Sequence, residues 1–254
     1  TGKLEYLRND AAQTRVHDVT TSEASMTLRY APGESFVNSK QRRVPVSLDA
    51  PVFTLTHAMG FKGVLGGEYN FNRTEASIWK RFWLPASWGK IDCSVKAGAE
   101  WNTVPFPLLI LPEANLSYIT QRETFCLINN MEFLNDRFAS MSISYDMNGK
   151  LFNRIPLLKN LKWREMFRVR ALWGTLTDKN NPFKSSNPDL FRFPTRDGKF
   201  TSFVMDPKVP YVEASVGIYN IFKLLHVEYV HRFTYRDNPG INKNGIRFMV
   251  LMVF

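Results

Sequence analysis

Hydrophobic and polar positions alternate along much of this chain with a period of two. In IDCSVKAGAEW, Ile91, Cys93, Val95, Ala97, Ala99 and Trp101 fall on one side. Asp92, Ser94, Lys96, Gly98 and Glu100 fall on the other. A strand points successive side chains to opposite faces and separates these sets, whereas a helix mixes them. FASMSISYDM sets Ala139, Met141, Ile143, Tyr145 and Met147 against Ser140, Ser142, Ser144 and Asp146. REMFRVRALWG, YVEASVGIYN and LLHVEYVHRFTYRD repeat the pattern, with His231 as an exception on the apolar side. Weaker alternation marks Glu23 to Tyr30, Val52 to Gly60, Tyr69 to Phe82 and Asn115 to Leu127. With the C-terminal GIRFMVLMVF this predicts about ten strands. RIPLLKNLKW (Arg154 to Trp163) has room for one helical turn.

Strand length narrows the fold. Several segments run to ten residues or longer, whereas soluble strands centre on about 5–6 and tilted transmembrane strands need about 9–11. Trp79, Trp83, Trp88, Trp101, Trp163 and Trp173 bracket the segments, as aromatic girdles bracket a membrane barrel at its two interfaces. The polar face carries charge: Lys96, Glu100, Arg168, Arg170, Glu213, Glu228 and Arg232. These are the expected lumen-facing residues. They read either as a selectivity or gating lining or as a salt-bridged filling that rigidifies the interior. The expected fold is therefore all-β, an antiparallel transmembrane β-barrel of outer-membrane type. The alternative is a soluble β-barrel or sandwich that binds a ligand.

GIRFMVLMVF sharpens this expectation. Phe248, Val250, Met252 and Phe254 alternate up to a terminal aromatic, the pattern expected of a signal read by the barrel-assembly machinery; the plainer reading is a core strand at a chain end. With that end on the periplasmic side, the link near Asn220 to Lys223 is a short periplasmic turn. Thr177 to Pro210, rich in Asn, Pro, Gly and Ser, is then a long outer loop. The stretch from Gly149 to Trp163 is long for a periplasmic turn.

Composition excludes several classes. The 254 residues are 44% hydrophobic with two cysteines, which fits neither a disordered chain nor a disulfide scaffold. No apolar run approaches the roughly 20 residues of a membrane helix. A mean hydropathy of −0.25 does not report on strands, whose alternation cancels. The net charge of +10 is spread along the chain, with one cluster at Lys40 to Arg43 and no nucleic-acid-binding module. A basic lumen or rim that attracts anionic sugars, lipids or peptides accounts for it equally well. The opening TGKLEYLRND has no signal-peptide pattern and reads as a mature or internal start.

Catalytic chemistry has thin support. His226 and Glu228 share a face, and Ser140, Ser142 and Ser144 line another strand, so an outer-membrane hydrolase with a Ser/His site at the barrel mouth is the enzymatic alternative. His226 and His231 lie on opposite faces, which argues against a shared metal. No metal or cofactor is expected. Cys93 and Cys126 either form a disulfide or, for Cys93, provide a small apolar side chain.

Three longer stretches, PFPLLILPEANLSYI, NRIPLLKNLKWREMFRVRALWGTLTDKNNP and PYVEASVGIYNIFKLLHVEYVHRFTYRDNPGINKNGIRF, resemble the C-terminal barrel of a Gram-negative outer-membrane family. Its members carry an N-terminal carboxypeptidase-regulatory-like β-domain ahead of a barrel of unknown function. The resemblance runs from about Pro51 to Phe254 and extends more distantly to BamA/TamA-type barrels, without their lumenal loop motif. It implies a non-enzymatic outer-membrane protein of unassigned role; the expected function is that of a subunit or accessory of an envelope biogenesis or transport complex. Its expected partners are the outer-membrane bilayer, the barrel-assembly machinery and further outer-membrane or periplasmic subunits, and no nucleic acid. It also implies that residues 1–22 are a leading segment of a truncated N-terminal part and that 23–254 form the C-terminal portion of a larger barrel.

Overall fold

The computed structural model describes residues 5–38, 43–46, 49–119, 121, 123–196 and 198–250. Its centre is one nine-stranded antiparallel sheet. The strands are β1 (Glu23–Tyr30), β2 (Val52–Gly60), β3 (Phe71–Trp83), β4 (Lys90–Glu100), β5 (Arg137–Asp146), β6 (Arg164–Thr175), β7 (Tyr211–Ile221), β8 (Leu225–Arg232) and β9 (Asn244–Val250). Each pairs with its neighbours in sequence, so the sheet is a plain meander. The fold is all-β, and no helix is long and apolar enough to cross a membrane.

The sheet curls. A cavity of about 620 Å³ is lined by Val52 and Thr54 of β2 and also by His226 of β8 and Met249 of β9. A flat sheet could not bring its second and ninth strands to one cavity. Closure is a separate matter: among the described residues no ladder joins β1 to β9. Every residue of β1 is exposed.

The two faces are sorted opposite to a soluble sheet. The concave face carries Lys96, Arg168, Arg170, Glu213 and Glu228, and the last four are buried. The convex face carries Leu55, Ile78, Val95, Val169, Val216 and Ile246, all exposed. Strict alternation produces this result, because register pairs like with like across every ladder: Arg170 stands opposite Ser142 and Glu213, and Val169 opposite Ile143 and Ala214.

The apolar core lies elsewhere, in the long connections at one end of the sheet. Phe71, Val104, Phe106, Leu134, Phe191 and Phe193 form one cluster there. Phe125, Phe133, Leu172, Met205 and Tyr211 form a second. The leading residues join this cap: Tyr6–Leu7 pairs with Arg15–Val16, and the Tyr6 ring lies 5.3 Å from Phe191 and 5.5 Å from Phe106.

Some expectations are corrected. Asn115 to Leu127 is not a strand; it belongs to the connection 101–136, which crosses the concave face and directs backbone N–H groups at side chains. Its contiguous FCLI run lacks the alternation a half-buried strand requires. Arg154 to Trp163 holds a helix, α1 (Pro156–Leu161), as the single predicted turn allows. Trp79 and Trp83, expected as interface aromatics, lie near the end of β3 and share the parity of Arg81, which puts them on the concave face. The Arg81 guanidinium carbon sits 5.4 and 5.5 Å from their ring centroids, where the indoles screen a buried cation. Cys93 is convex and Cys126 buried on the other side, and both are free thiols. Lys40, Gln41 and Arg42 of the basic cluster, and Met252 and Phe254 of the terminal pattern, lie outside the described residues.

Gly89, in the turn between β3 and β4, has φ +90°, and a Cβ there would meet the Asp146 carbonyl oxygen at 1.8 Å. Gly33 has φ +77° with open space around it. Both substitutions to alanine incur left-handed strain of about 1–3 kcal/mol. Gly89→Ala must also push the end of β5 away, so its loss of thermal stability should clearly exceed that of Gly33→Ala in parallel melting curves.

Candidate functional site

The concave face and the connection 101–136 laid across it form one buried network. Long polar side chains on alternate positions of β6, β7 and β8 all project inward. The connection supplies complementary groups through its backbone and through Glu132. Arg168 Nη1 donates to both carboxylate oxygens of Glu228 at 3.0 Å. Arg170 Nη1 donates to Glu213 at 2.9 Å. Glu213 also accepts the backbone N–H of Cys126 (2.9 Å) and Leu127 (3.1 Å) and the Tyr211 hydroxyl (2.9 Å). One carboxylate therefore joins β6, β7 and the crossing segment.

Arg232 is the most completely used cation. Its Nη1 and Nη2 form a fork with Glu132 at 3.1 and 2.6 Å. Nε donates to the Thr234 carbonyl, Nη1 to the Leu127 carbonyl and Nη2 to the Tyr235 carbonyl at 2.8–3.1 Å. The guanidinium also lies over the Tyr211 ring, 4.8 Å from its centroid. Glu132 further accepts Asn129 N–H and Asn238 Nδ2. Charge-assisted bidentate pairs are stronger than neutral bonds, and full donor satisfaction offsets the desolvation of both ions.

The crossing segment continues to the far edge of the sheet. Arg247 of β9 donates to the Cys126 carbonyl. Phe248 N–H donates to the Tyr118 carbonyl at 2.7 Å, and Ile119 bridges Phe248 in parallel, so the segment occupies part of the outer edge of β9. At its other end, Lys96 of β4 meets Glu113 at 2.5 Å. Buried Asp136 accepts the Thr177 N–H, the Thr177 hydroxyl and Asn180 Nδ2, which fastens the cap to the start of β5. Glu100, at the top of β4, accepts the backbone N–H groups of Asn72 and Asn102 and lies 3.6 Å from Arg73.

The seven charged residues singled out from sequence thus lie on one face but do not form a single cluster. Arg168 pairs with Glu228 and Arg170 with Glu213. Arg232, Lys96 and Glu100 take other partners. Sequence reasoning missed Glu132, Asp136, Tyr211 and Arg247. The signal for Glu132 was visible as a lone carboxylate in the apolar run FCLINNMEFL. Arg247 was the polar alternate within GIRFMVLMVF.

Ser215, His226 and Glu228 come together, all buried. The Ser215 hydroxyl donates to Glu228, and His226 Nε2 lies 3.4 Å from the same carboxylate. A nucleophilic serine needs its hydrogen bond to go to the histidine. Here both converge on a carboxylate already held by Arg168, the order of an ion-pair network. Ser144, on the strand first considered for a nucleophile, donates to the Met166 sulfur. Among the described residues no three His, Cys, Asp or Glu side chains are grouped to hold a metal ion. The cavity below the network has hydroxyl, indole and thioether lining from Ser77, Trp79, Ser94, Ser142 and Met249. Burial pushes the Cys126 thiol above its ordinary pKa.

Of the predicted aromatics, Trp101 and Trp173 are exposed at the cap end, and Trp101 Nε1 donates to Thr74. Trp88 is exposed in the β3–β4 turn, and Trp163 is half-buried just before β6. Phe248 and Val250 are convex and exposed.

The sequence matches the C-terminal domain of a family of unknown function (DUF5686) over residues 5–183, and the chain belongs to that family. The match begins well before Pro51, so it takes in the leading segment, and it ends before β7. No curated protein matches the chain.

Removing one partner of a buried ion pair costs about 3–5 kcal/mol, whereas replacing both with apolar groups is often near neutral. Glu132→Gln and Arg232→Met should each fall in that destabilising range. The double variant should recover much of the loss in a double-mutant cycle of denaturant unfolding. Lys96→Met, whose partner Glu113 is half exposed, should cost no more than about 1 kcal/mol.

Proposed function

We propose that this DUF5686-family chain is a non-enzymatic outer-membrane β-barrel protein, a subunit or accessory of an envelope biogenesis or transport complex. The observation that carries the reading is the inverted sheet, with paired charge on the concave side and bare aliphatic side chains on the convex side. In water, leaving a half-exposed Val, Leu, Ile or Phe on that face forfeits on the order of 1 kcal/mol. Ten such positions forfeit roughly 10 kcal/mol, about the whole net stability of a domain. Lipid removes this penalty, and transmembrane barrels alternate in this way.

Other features support the reading. β3, β4, β6 and β7 have 11 to 13 residues, long enough to cross a bilayer at a tilt. Exposed aromatics mark both ends of the convex face: Phe61, Trp101, Trp173 and Phe233 towards the cap, and Tyr30, Phe53, Phe82 and Phe167 towards the short turns. Nine strands, with the outer edge of β1 unpaired among the described residues, leave room for further strands, as in a larger barrel whose total is even. The resemblance to barrels preceded by a carboxypeptidase-regulatory-like domain belongs with this reading, as does recognition of Phe248 and Val250 by the assembly machinery. The closed Arg168–Glu228–Ser215 set supports a non-catalytic interior.

The test is membrane behaviour. The protein should fractionate with outer membranes, require detergent for extraction and migrate differently on gels with and without boiling. Monodisperse recovery from buffer alone would overturn the proposal, as would ester or peptide hydrolysis lost in His226→Ala. Cysteine chemistry provides a residue-level check. In proteoliposomes a membrane-impermeant maleimide should label neither thiol, Cys93 because it faces lipid and Cys126 because it is buried and protonated. Unfolding in detergent should expose both.

A further inference from the structure

The excess positive charge of the chain has a focus that composition alone does not reveal. Three short turns meet at the end of the sheet opposite the cap: 84–89 between β3 and β4, 147–163 between β5 and β6, and 222–224 between β7 and β8. They are physically joined. Lys150 Nζ donates to the Ala86 carbonyl at 2.8 Å, and Asn220 Nδ2 donates to the Lys162 carbonyl at 2.7 Å. Together they carry Lys150, Arg154, Lys159, Lys162 and Lys223 and no acidic residue. The cap end is mixed in sign: the connection 101–136 carries Glu113, Glu123, Glu132 and Asp136 against Arg122, whereas 176–210 carries six basic residues against four acidic ones.

The connection 31–51, at the same end of the sheet, adds Glu34, which pairs with Arg29, and Asp49. Two carboxylates beside these turns are committed inward: Asp146 to the Tyr219 hydroxyl and Lys90, and Glu165 to the backbone N–H groups of Leu151 and Phe152. Lys150 and Arg154 lie over the Trp88 ring, 5.2 and 6.0 Å from its centroid, which leaves the indole at the same level as the cations. Lys159, Lys162 and Lys223 extend into solvent. Among them stand bare apolar side chains: Leu157 and Phe222 are each 83% exposed, and Ile155, Leu161 and Leu224 are exposed as well. α1 is too short and too exposed to be held by its own core.

Cations interleaved with exposed leucine and aromatic side chains are the chemistry of a segment lying in a bilayer interface. The apolar groups enter the acyl boundary, and the ammonium groups reach the phosphates. The rim is also continuous with the apolar convex face through Leu224 and Leu225, so whatever solvates that face reaches the rim. We propose that these three turns form a docking surface for anionic phospholipid headgroups, anchoring this end of the sheet at the lipid phosphate level. The proposal rests on the membrane reading above and adds to it a lipid preference and a place.

The full chain, purified in detergent, is reconstituted into phosphatidylcholine vesicles with and without phosphatidylglycerol. Insertion is scored by flotation, and lipid selectivity by native mass spectrometry of the lipids retained on release. The native protein should insert into both vesicles and retain phosphatidylglycerol over phosphatidylcholine. The combined variant K159Q/K162Q/K223Q should insert equally well but lose roughly fivefold of that preference per lysine. Rising salt should weaken the preference. Insertion with equal retention of the two lipids would sink the docking proposal alone, as would a preference that survives in the variant. Failure to insert into either vesicle would sink the membrane reading and this proposal with it.

Discussion

Arg232 has no accessible surface, and a guanidinium in that position must have its donors met by protein. They are met from three directions: by Glu132 and Leu127 of the crossing segment, by Thr234 and Tyr235 beyond β8, and by the ring of Tyr211. The pairings Arg170–Glu213 and Arg168–Glu228 extend the same requirement across β6, β7 and β8. Because a buried charge left alone costs several kcal/mol, these strands cannot slide relative to one another without exposing the penalty. Register, curl and the position of segment 101–136 follow from that constraint.

The arrangement separates two roles that a soluble domain merges. In a soluble sheet the apolar face supplies both cohesion and burial. Here the backbone ladders and ion pairs hold the wall together, and the apolar clusters close one end as a cap of loops. The wall's own aliphatic face is left to its surroundings. The interior is therefore polar but largely filled near the cap, and it opens into the cavity lined by Trp79, Ser94 and Met249 towards the short turns.

Much of the wall was legible in the sequence, because period two is a local signal that survives without tertiary information. Val52 to Gly60 emerged with the observed bounds, and the alternating parity placed Lys96, Arg168, Glu213 and Glu228 on one face. What failed had non-local causes. Asn115 to Leu127 lost its strand character to side chains some 87 residues away, among them Glu213. Trp79 and Trp83 flank Arg81 on the inner face, a side that an aromatic's usual preference for an interface does not specify. Ion-pair partners were the least legible part. Glu132 and Arg232 lie 100 residues apart, and charge alone offers many equally good matches.

That separation has a consequence for how the molecule is made. Neighbouring strands of the meander can zip up hairpin by hairpin, since each needs only the turn before it. Segment 101–136 follows a different clock. It leaves the ribosome well before β7, β8 and β9, and its Glu132 carboxylate and Cys126 carbonyl must remain hydrated until Arg232 and Arg247 arrive. Long-range pairing of this kind is slow compared with local zipping. The last hairpin therefore does more than finish the wall: it locks in place a strap that has to be laid across the concave face before the final strands pair, which makes the order of assembly part of the fold.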